Sequence, residues 1–256
     1  MQQTITRMTA AISAALAPME PSIYLYGSAV LGDFRPGWSD IDILALTPAP
    51  LTATQAETLL TLRQYIPIIY PDALYARACE GCITPIDSLT KNTPNTCVYW
   101  GTSGQRITDS HRPDVFCLWQ LQHCGRLLHG PDVREVLPKP TLHDLHQAVA
   151  QHLRSTLMHG RGARNLYAFG WLLDTARGLY TLHHDAVIAK TAAGEWALAQ
   201  GLCPDEASLQ LALAVRKDPA LIRQEEILRH AEALTPAIAR FADVLQRELT
   251  ARGIAV

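Results

Sequence analysis

Asp40 and Asp42, separated by a single isoleucine, have the types and spacing to do chemistry. They open an apolar run, Ile41 to Leu46, whose composition predicts a strand over 40–46. In a strand, residues i and i+2 face the same side, so both carboxylates project together while Ile41 and Ile43 turn toward a core. Like charges this close repel unless a cation sits between them. Mg²⁺ takes carboxylate, water and phosphate oxygens, and two divalent cations about 3.5–4 Å apart serve in-line phosphoryl chemistry. Upstream, Ile23 to Tyr26 predicts a short buried strand, broken by Gly27-Ser28, after which Ala29-Val30-Leu31 is expected to start a helix. Backbone N–H groups at a strand-to-helix turn attract phosphate. Gly27 permits close backbone approach, and Ser28 can donate a hydroxyl hydrogen bond. An isolated Asp-x-Asp most often marks a solvated strand edge. Here it follows a Gly-Ser turn at a spacing of eleven intervening residues and precedes an apolar tail, which favours a metal and phosphate site.

These residues resemble a known family. Gly27-Ser28 with Asp40-Ile41-Asp42 is similar to the signature of the minimal nucleotidyltransferases of the DNA polymerase β superfamily. Within it, Tyr26-Gly27-Ser28-Ala29 and Ser39-Asp40-Ile41-Asp42-Ile43-Leu44 most resemble the aminoglycoside adenylyltransferases that act on streptomycin and spectinomycin. The resemblance continues through Leu127-Leu128-His129-Gly130-Pro131, Arg164-Asn165-Leu166 and Ile188 to Leu198. It implies an α+β fold: a minimal nucleotidyltransferase domain with a small mixed sheet, followed by an all-α helical bundle. It also implies ATP bound between the two domains. Lys190 matches by position a family lysine that reaches the triphosphate, where a cation would stabilise charge moving onto the leaving pyrophosphate.

Composition narrows the partners. The 256 residues are 48% hydrophobic and 18% charged, with a formal net charge of −2 and a pI of about 6.5. Nothing electrostatic favours wrapping nucleic acid. No apolar run approaches the ~20 residues that span a bilayer, and the N-terminus lacks a basic patch followed by an apolar core, so a cytoplasmic protein is expected. Six cysteines then read as reduced thiols. Cys79-Glu80-Gly81-Cys82 has zinc-like spacing but no second ligand pair, only the isolated His111 and His123.

The elements that must position the site follow from periodicity. Met1 to Leu16 predicts an amphipathic helix, with Ile5, Met8, Ile12 and Leu16 spaced by three and four. Thr54 to Leu62 predicts a second. Ile66 to Tyr70 reads as a third strand, pushed toward a sheet edge by Pro67. From Pro71 to Asn95 loops are expected, then a short strand at Val98-Tyr99-Trp100, a turn, and a helix from Asp114 to His129. Pro138-Lys139-Pro140 is the clearest linker, placing the domains at 1–140 and 141–256. Beyond it the pattern is helical throughout, with Thr141-x-x-Asp144 as an N-terminal capping arrangement and Gly201 as a helix stop.

Two departures from the family pattern stand out. The family places a third carboxylate on the strand after Asp-x-Asp, where it can deprotonate the attacking hydroxyl, worth about 10²–10⁴ in rate. The strand expected at 66–70 holds no acid; Asp72, Glu80 and Asp87 lie beyond it. The family also presents acids before the helix that starts near Arg164, whereas this chain has Arg161 and Arg164, which favours a neutral or anionic acceptor over a polycationic one. The leading reading is a Mg²⁺-dependent transfer of AMP from ATP to a hydroxyl of a small acceptor. Gly27, Ser28 and Lys190 would hold the nucleotide, and Asp40 and Asp42 the metal. The alternative is a degenerate relative that binds nucleotide or a protein partner without turnover. A protein-modifying or antitoxin-like nucleotidyltransferase ranks last, because such chains are shorter and lack the helical domain.

Overall fold

The computed structural model describes residues 1–91, 93–101, 104–160 and 165–256. The chain forms two compact units, Met1–Leu31 with Asp40–Lys139, and Gly32–Ser39 with Pro140–Val256. The second cut falls at the proline-rich linker. The first differs from a contiguous 1–140 domain, because the loop Gly32–Ser39 goes with the helical unit. Within that loop Asp33 is buried and bonds to Thr191 and Arg216 of the same unit.

The first unit is built on a six-stranded sheet with order β5-β4-β3-β2-β1-β6. The strands are β1 (Ser22–Tyr26), β2 (Ile41–Thr47), β3 (Cys79–Pro85), β4 (Cys97–Gly101), β5 (Gly104–Thr108) and β6 (Arg126–His129). All neighbouring pairs are antiparallel except β2 with β3. A parallel pair needs a crossover, and helix α2 (Ala53–Ile69) supplies it. Helix α1 (Gln2–Leu16) buries Ile5, Met8, Ile12 and Leu16, the expected stripe. The turn of helix α3 (Asp87–Thr90) follows β3, and α4 (Val115–His123), capped by Asp114, precedes β6.

Several expectations need correction here. Ile66–Tyr70 is not a strand. Residues 66–69 form the last turn of α2, with Pro67 inside the helix. Only Ile66 is buried, and Ile68 and Ile69 are 67% and 62% exposed. The apolar run therefore has the composition of a buried strand but sits on an outward helix end. The strand beside β2 is β3, in a stretch expected to be loop. The helix expected to reach His129 stops at His123, and Arg126–His129 returns as a strand against β1.

The second unit is helical among the described residues, as expected. It comprises α5 (Leu142–His159), α6 (Leu166–His184), α7 (Lys190–Ala199), α8 (Glu206–Lys217), α9 (Glu225–Ala233) and α10 (Thr235–Ala251). Thr141 and Asp144 form a full capping box at the start of α5, and Gly201, at φ +63°, follows the end of α7. Glycines allow close helix packing: a Cβ at Gly178 would lie 2.9 Å from Leu245, and one at Gly194 2.9 Å from Leu173 and Leu213.

Candidate active site

The expected strand brings Asp40 and Asp42 to the edge of a core. Ile41 and Ile43 are 0% and 1% exposed, while Asp42 between them and Asp40 just before β2 are half-buried. Alternation within β2 holds Asp42 on the face away from the isoleucines, and Asp40 directly precedes the strand. Gly27 adopts φ +69°, and a Cβ placed there would stand 1.8 Å from Asp42 Oδ2. Only glycine leaves room for the carboxylate against the turn backbone, so the turn and Asp42 form one constellation. Tyr26 pairs with Asp42 across β1 and β2, and Ser28 Oγ donates to the Asp40 carbonyl at 3.4 Å. Gly27, Ser28, Asp40 and Asp42 are therefore brought together.

The turn itself differs from the expected helix start. Gly27–Ala29 make a single 3₁₀ turn, with the Val30 and Leu31 N–H groups both donating to the Gly27 carbonyl at 3.2 and 3.1 Å. The chain leaves this turn for the loop at Gly32, whose φ is +71°, rather than continuing helically.

Glu80, which the sequence offers only as an acid beyond the expected strand, has a definite place in the sheet. In the parallel β2/β3 ladder, Asp42 stands opposite Glu80, and residues in register on neighbouring strands share a face. The expectation of an acid-free neighbouring strand is thus overturned, because that neighbour is β3 and not 66–70. The signal lay in Cys79-Glu80-Gly81-Cys82-Ile83. It was masked by Gly81, a residue that weakens strand propensity. Gly81 sits at φ +126°, and a Cβ there would be 1.9 Å from the Ile43 carbonyl oxygen. The other acids considered are engaged elsewhere: Asp72 with Arg7 at 3.6 Å and Asp87 with Lys91 at 3.0 Å.

The electrostatics agree with acids gathered near this edge. Burial pushes the Cys79 thiol up to about 12; Arg63 opposes this, and Asp42 and Asp40 add to it. Burial likewise raises the Tyr26 hydroxyl well above its ordinary range, with Cys117 and Asp42 contributing. Such thiols stay protonated and inert. Cys79 and Cys82 are buried free cysteines on β3. Among the described residues, no three His, Cys, Asp or Glu side chains converge on one point as a metal cage. That still fits Mg²⁺, which is commonly held by one or two carboxylates with water and phosphate oxygens completing its octahedron.

Lys190 belongs to the second unit, as the first residue of α7. Its Nζ donates to Asp174 Oδ2 at 3.0 Å. Asp174 is 7% exposed and also receives Arg177 at 2.9 Å, with His152 Nε2 at 3.6 Å. Burial alone would raise the Asp174 carboxyl, but Lys190, Arg177 and His152 hold it well below the carboxylate range. In the same unit Asp33, 3% exposed, is gripped by Thr191 and Arg216. Arg161 and Arg164, on which the expectation of a neutral or anionic acceptor rests, lie outside the described residues.

Residues 14–76 match the family model of the nucleotidyltransferase domain. Over 190 residues, 69% of this chain and 70% of the relative, the sequence is 27% identical to a spectinomycin 9-adenylyltransferase of Campylobacter jejuni. The structure superposes on a spectinomycin adenyltransferase from Enterococcus faecalis, solved with ATP and spectinomycin. The TM-score is 0.70 at 19% identity, covering 96% of this chain and 99% of that one. The fold is shared over nearly the whole length, and the chain resembles the spectinomycin adenylyltransferases of the nucleotidyltransferase superfamily.

Proposed function

We propose that this protein transfers the AMP portion of ATP to a hydroxyl of a small acceptor, releasing pyrophosphate. One observation carries the reading. The Asp42 carboxylate lies against the backbone of the Gly27 turn, with Glu80 in register on the next strand. That arrangement supports reading three short segments as a phosphate cradle, metal-binding acids and a candidate base.

In this reading the N–H groups and hydroxyl at Gly27 and Ser28 hold the terminal phosphates. Asp40 and Asp42 hold magnesium, which when bound neutralises charge on the phosphate oxygens and orients the nucleotide. Glu80 takes the proton from the acceptor hydroxyl, whose oxygen bonds to the α-phosphorus as the bond to the bridging oxygen breaks. Lys190 supplies positive charge to the leaving pyrophosphate, as the resemblance implies. Arg161 and Arg164 argue against cationic acceptors such as spectinomycin and streptomycin, but spectinomycin is named in both relatives, so the panel sets these two beside neutral and anionic hydroxyl compounds.

The test is pyrophosphate release from ATP and magnesium across an acceptor panel, run beside calorimetric ATP binding. Acceptor-dependent release is expected. Joint Asp40→Asn and Asp42→Asn substitution should remove it together with magnesium-dependent nucleotide binding, and Glu80→Gln should slow it about 10²–10⁴-fold while binding persists. Binding with no release across hydroxyl-bearing acceptors would return the chain to the non-catalytic alternative. Unchanged release in the double aspartate variant would end the proposal.

A further inference from the structure

Asp33 sits in the loop between Ser28 and Asp40, yet its partners come from the far end of the chain. Thr191 Oγ1 donates to one carboxylate oxygen at 2.7 Å, and the Thr191 backbone N–H to the other at 3.3 Å, across 158 residues of sequence. Arg216, near the end of α8, donates to the carboxylate at 3.1 Å and to the Asp33 carbonyl at 2.9 Å. Arg35 Nε adds a further bond at 3.1 Å. The Asp33 carboxylate is thereby saturated and buried.

Helix α7 lacks a cap of its own. Its N-cap residue is Ala189, which makes no side-chain cap bond. The first N–H groups of a helix need a partner, and a carboxylate at that end also meets the positive pole of the helix dipole. Asp33 supplies both from outside the helix. The residue that begins α7 is Lys190, directly before Thr191. Lys190 is therefore fixed at two points, its backbone through the helix start that Asp33 caps and its ammonium through Asp174. The same loop is tied internally, with the Arg35 N–H donating to Ser39 Oγ at 2.9 Å, and Ser39 immediately precedes Asp40 in the chain.

We infer that Asp33 is a positioning residue for nucleotide transfer, acting through Lys190 by capping the helix that carries it. This rests on the role proposed above for Lys190. The Asp33 carboxylate is taken up by protein groups, Thr191, Arg216 and Arg35, and it sets where the lysine starts.

A double-mutant cycle on the full chain tests it, with calorimetric binding of ATP in magnesium as the readout and melting midpoints as the fold control. Thr191→Val removes one donor while leaving the Asp33–Arg216 pair; Asp33→Asn removes the charge. Each is expected to weaken ATP binding about five- to tenfold in the parent, and by less than about twofold where Lys190→Met is already present, because contacting or serially linked residues are non-additive. A purely structural role would cost the same factor in both backgrounds, and that result overturns the inference. So does unchanged affinity in both variants. Should Asp33→Asn fail to fold, Thr191→Val alone decides. A parent that does not bind ATP sinks the nucleotide reading itself, and a Lys190→Met chain that binds as well as the parent ends the role given to Lys190; either takes this inference with it. Those two arms contain no change at Asp33 or Thr191, so the two failures are told apart.

Discussion

In the second unit, Asp33 and Asp174 are 3% and 7% exposed, and each is surrounded by cations from its own unit: Arg35 and Arg216 for the first, Lys190 and Arg177 for the second. In the first unit, Asp40, Asp42 and Glu80 are half-buried, and two of them are in register across a parallel ladder. Both regions concentrate negative charge, but to opposite ends. A buried carboxylate matched by Arg or Lys is part of the framework, and removing one partner strands the other without water. Asp42 and Glu80, in register on neighbouring strands, instead repel one another, and a bound cation would relieve that repulsion.

That contrast predicts different responses to the same conservative change. Asp174→Asn should lower the unfolding free energy of the chain by about 3–5 kcal/mol, because Lys190 and Arg177 keep their charges without their counter-ion. Asp42→Asn should lower the chemical-denaturation midpoint less than Asp174→Asn does, while turnover disappears. If both substitutions destabilise alike, the two acid clusters are not different in kind and the comparison fails.

Glycine gives a sharper and smaller test. Gly27 and Gly201 have nearly the same backbone angle, φ +69° and +63°, so alanine at either meets a conformational cost of about 1–2 kcal/mol. At Gly201 the added Cβ meets nothing within 4 Å, whereas at Gly27 it meets the Asp42 carboxylate. Gly27→Ala should therefore slow turnover about 10²-fold by displacing that carboxylate. Gly201→Ala should cost similar stability with turnover intact. Equal turnover in the two variants would mean that Asp42 need not sit where it does.

How much of this was legible in the sequence follows from where each contact's partners lie. Gly27, Ser28, Asp40 and Asp42 span sixteen positions, and their spacing carries the turn and the strand directly. The helical unit was legible for a related reason: caps such as Thr141 with Asp144 are satisfied within one turn. Glu80 was not, because its place depends on which strand lies beside β2, a fact set by the length of the α2 crossover. The apolar Ile66–Ile69 competes for that place in composition, and only exposure shows that it belongs to a helix end. Asp33 was illegible for the strongest reason. Nothing in a turn-rich loop signals a cap for a helix 158 residues away.

Acid titration separates the same two regions most finely. Burial pushes the Asp33 carboxyl up, but the Thr191 hydroxyl and the Arg216 charge outweigh it and hold it below its ordinary value. Asp174 is likewise held below its ordinary value by Lys190, Arg177 and His152 against the same effect of burial. A carboxyl depressed in the folded state contributes stability that is complete above the unfolded value of about 3.9, and that contribution is lost as pH falls from there through the folded value. The parent chain should therefore hold its stability down to about pH 4 and lose it steeply below, since the unfolded chain takes up protons that the folded one refuses. Asp174→Asn, starting from a lower stability, should lose less per pH unit in that window. Urea unfolding followed by hydrogen exchange within α6 and α7 reads the second unit specifically. A variant whose acid slope matches the parent's would mean that Asp174 is not held in its charged form by its neighbours. The cation-matched half of the contrast would then rest on Asp33 alone.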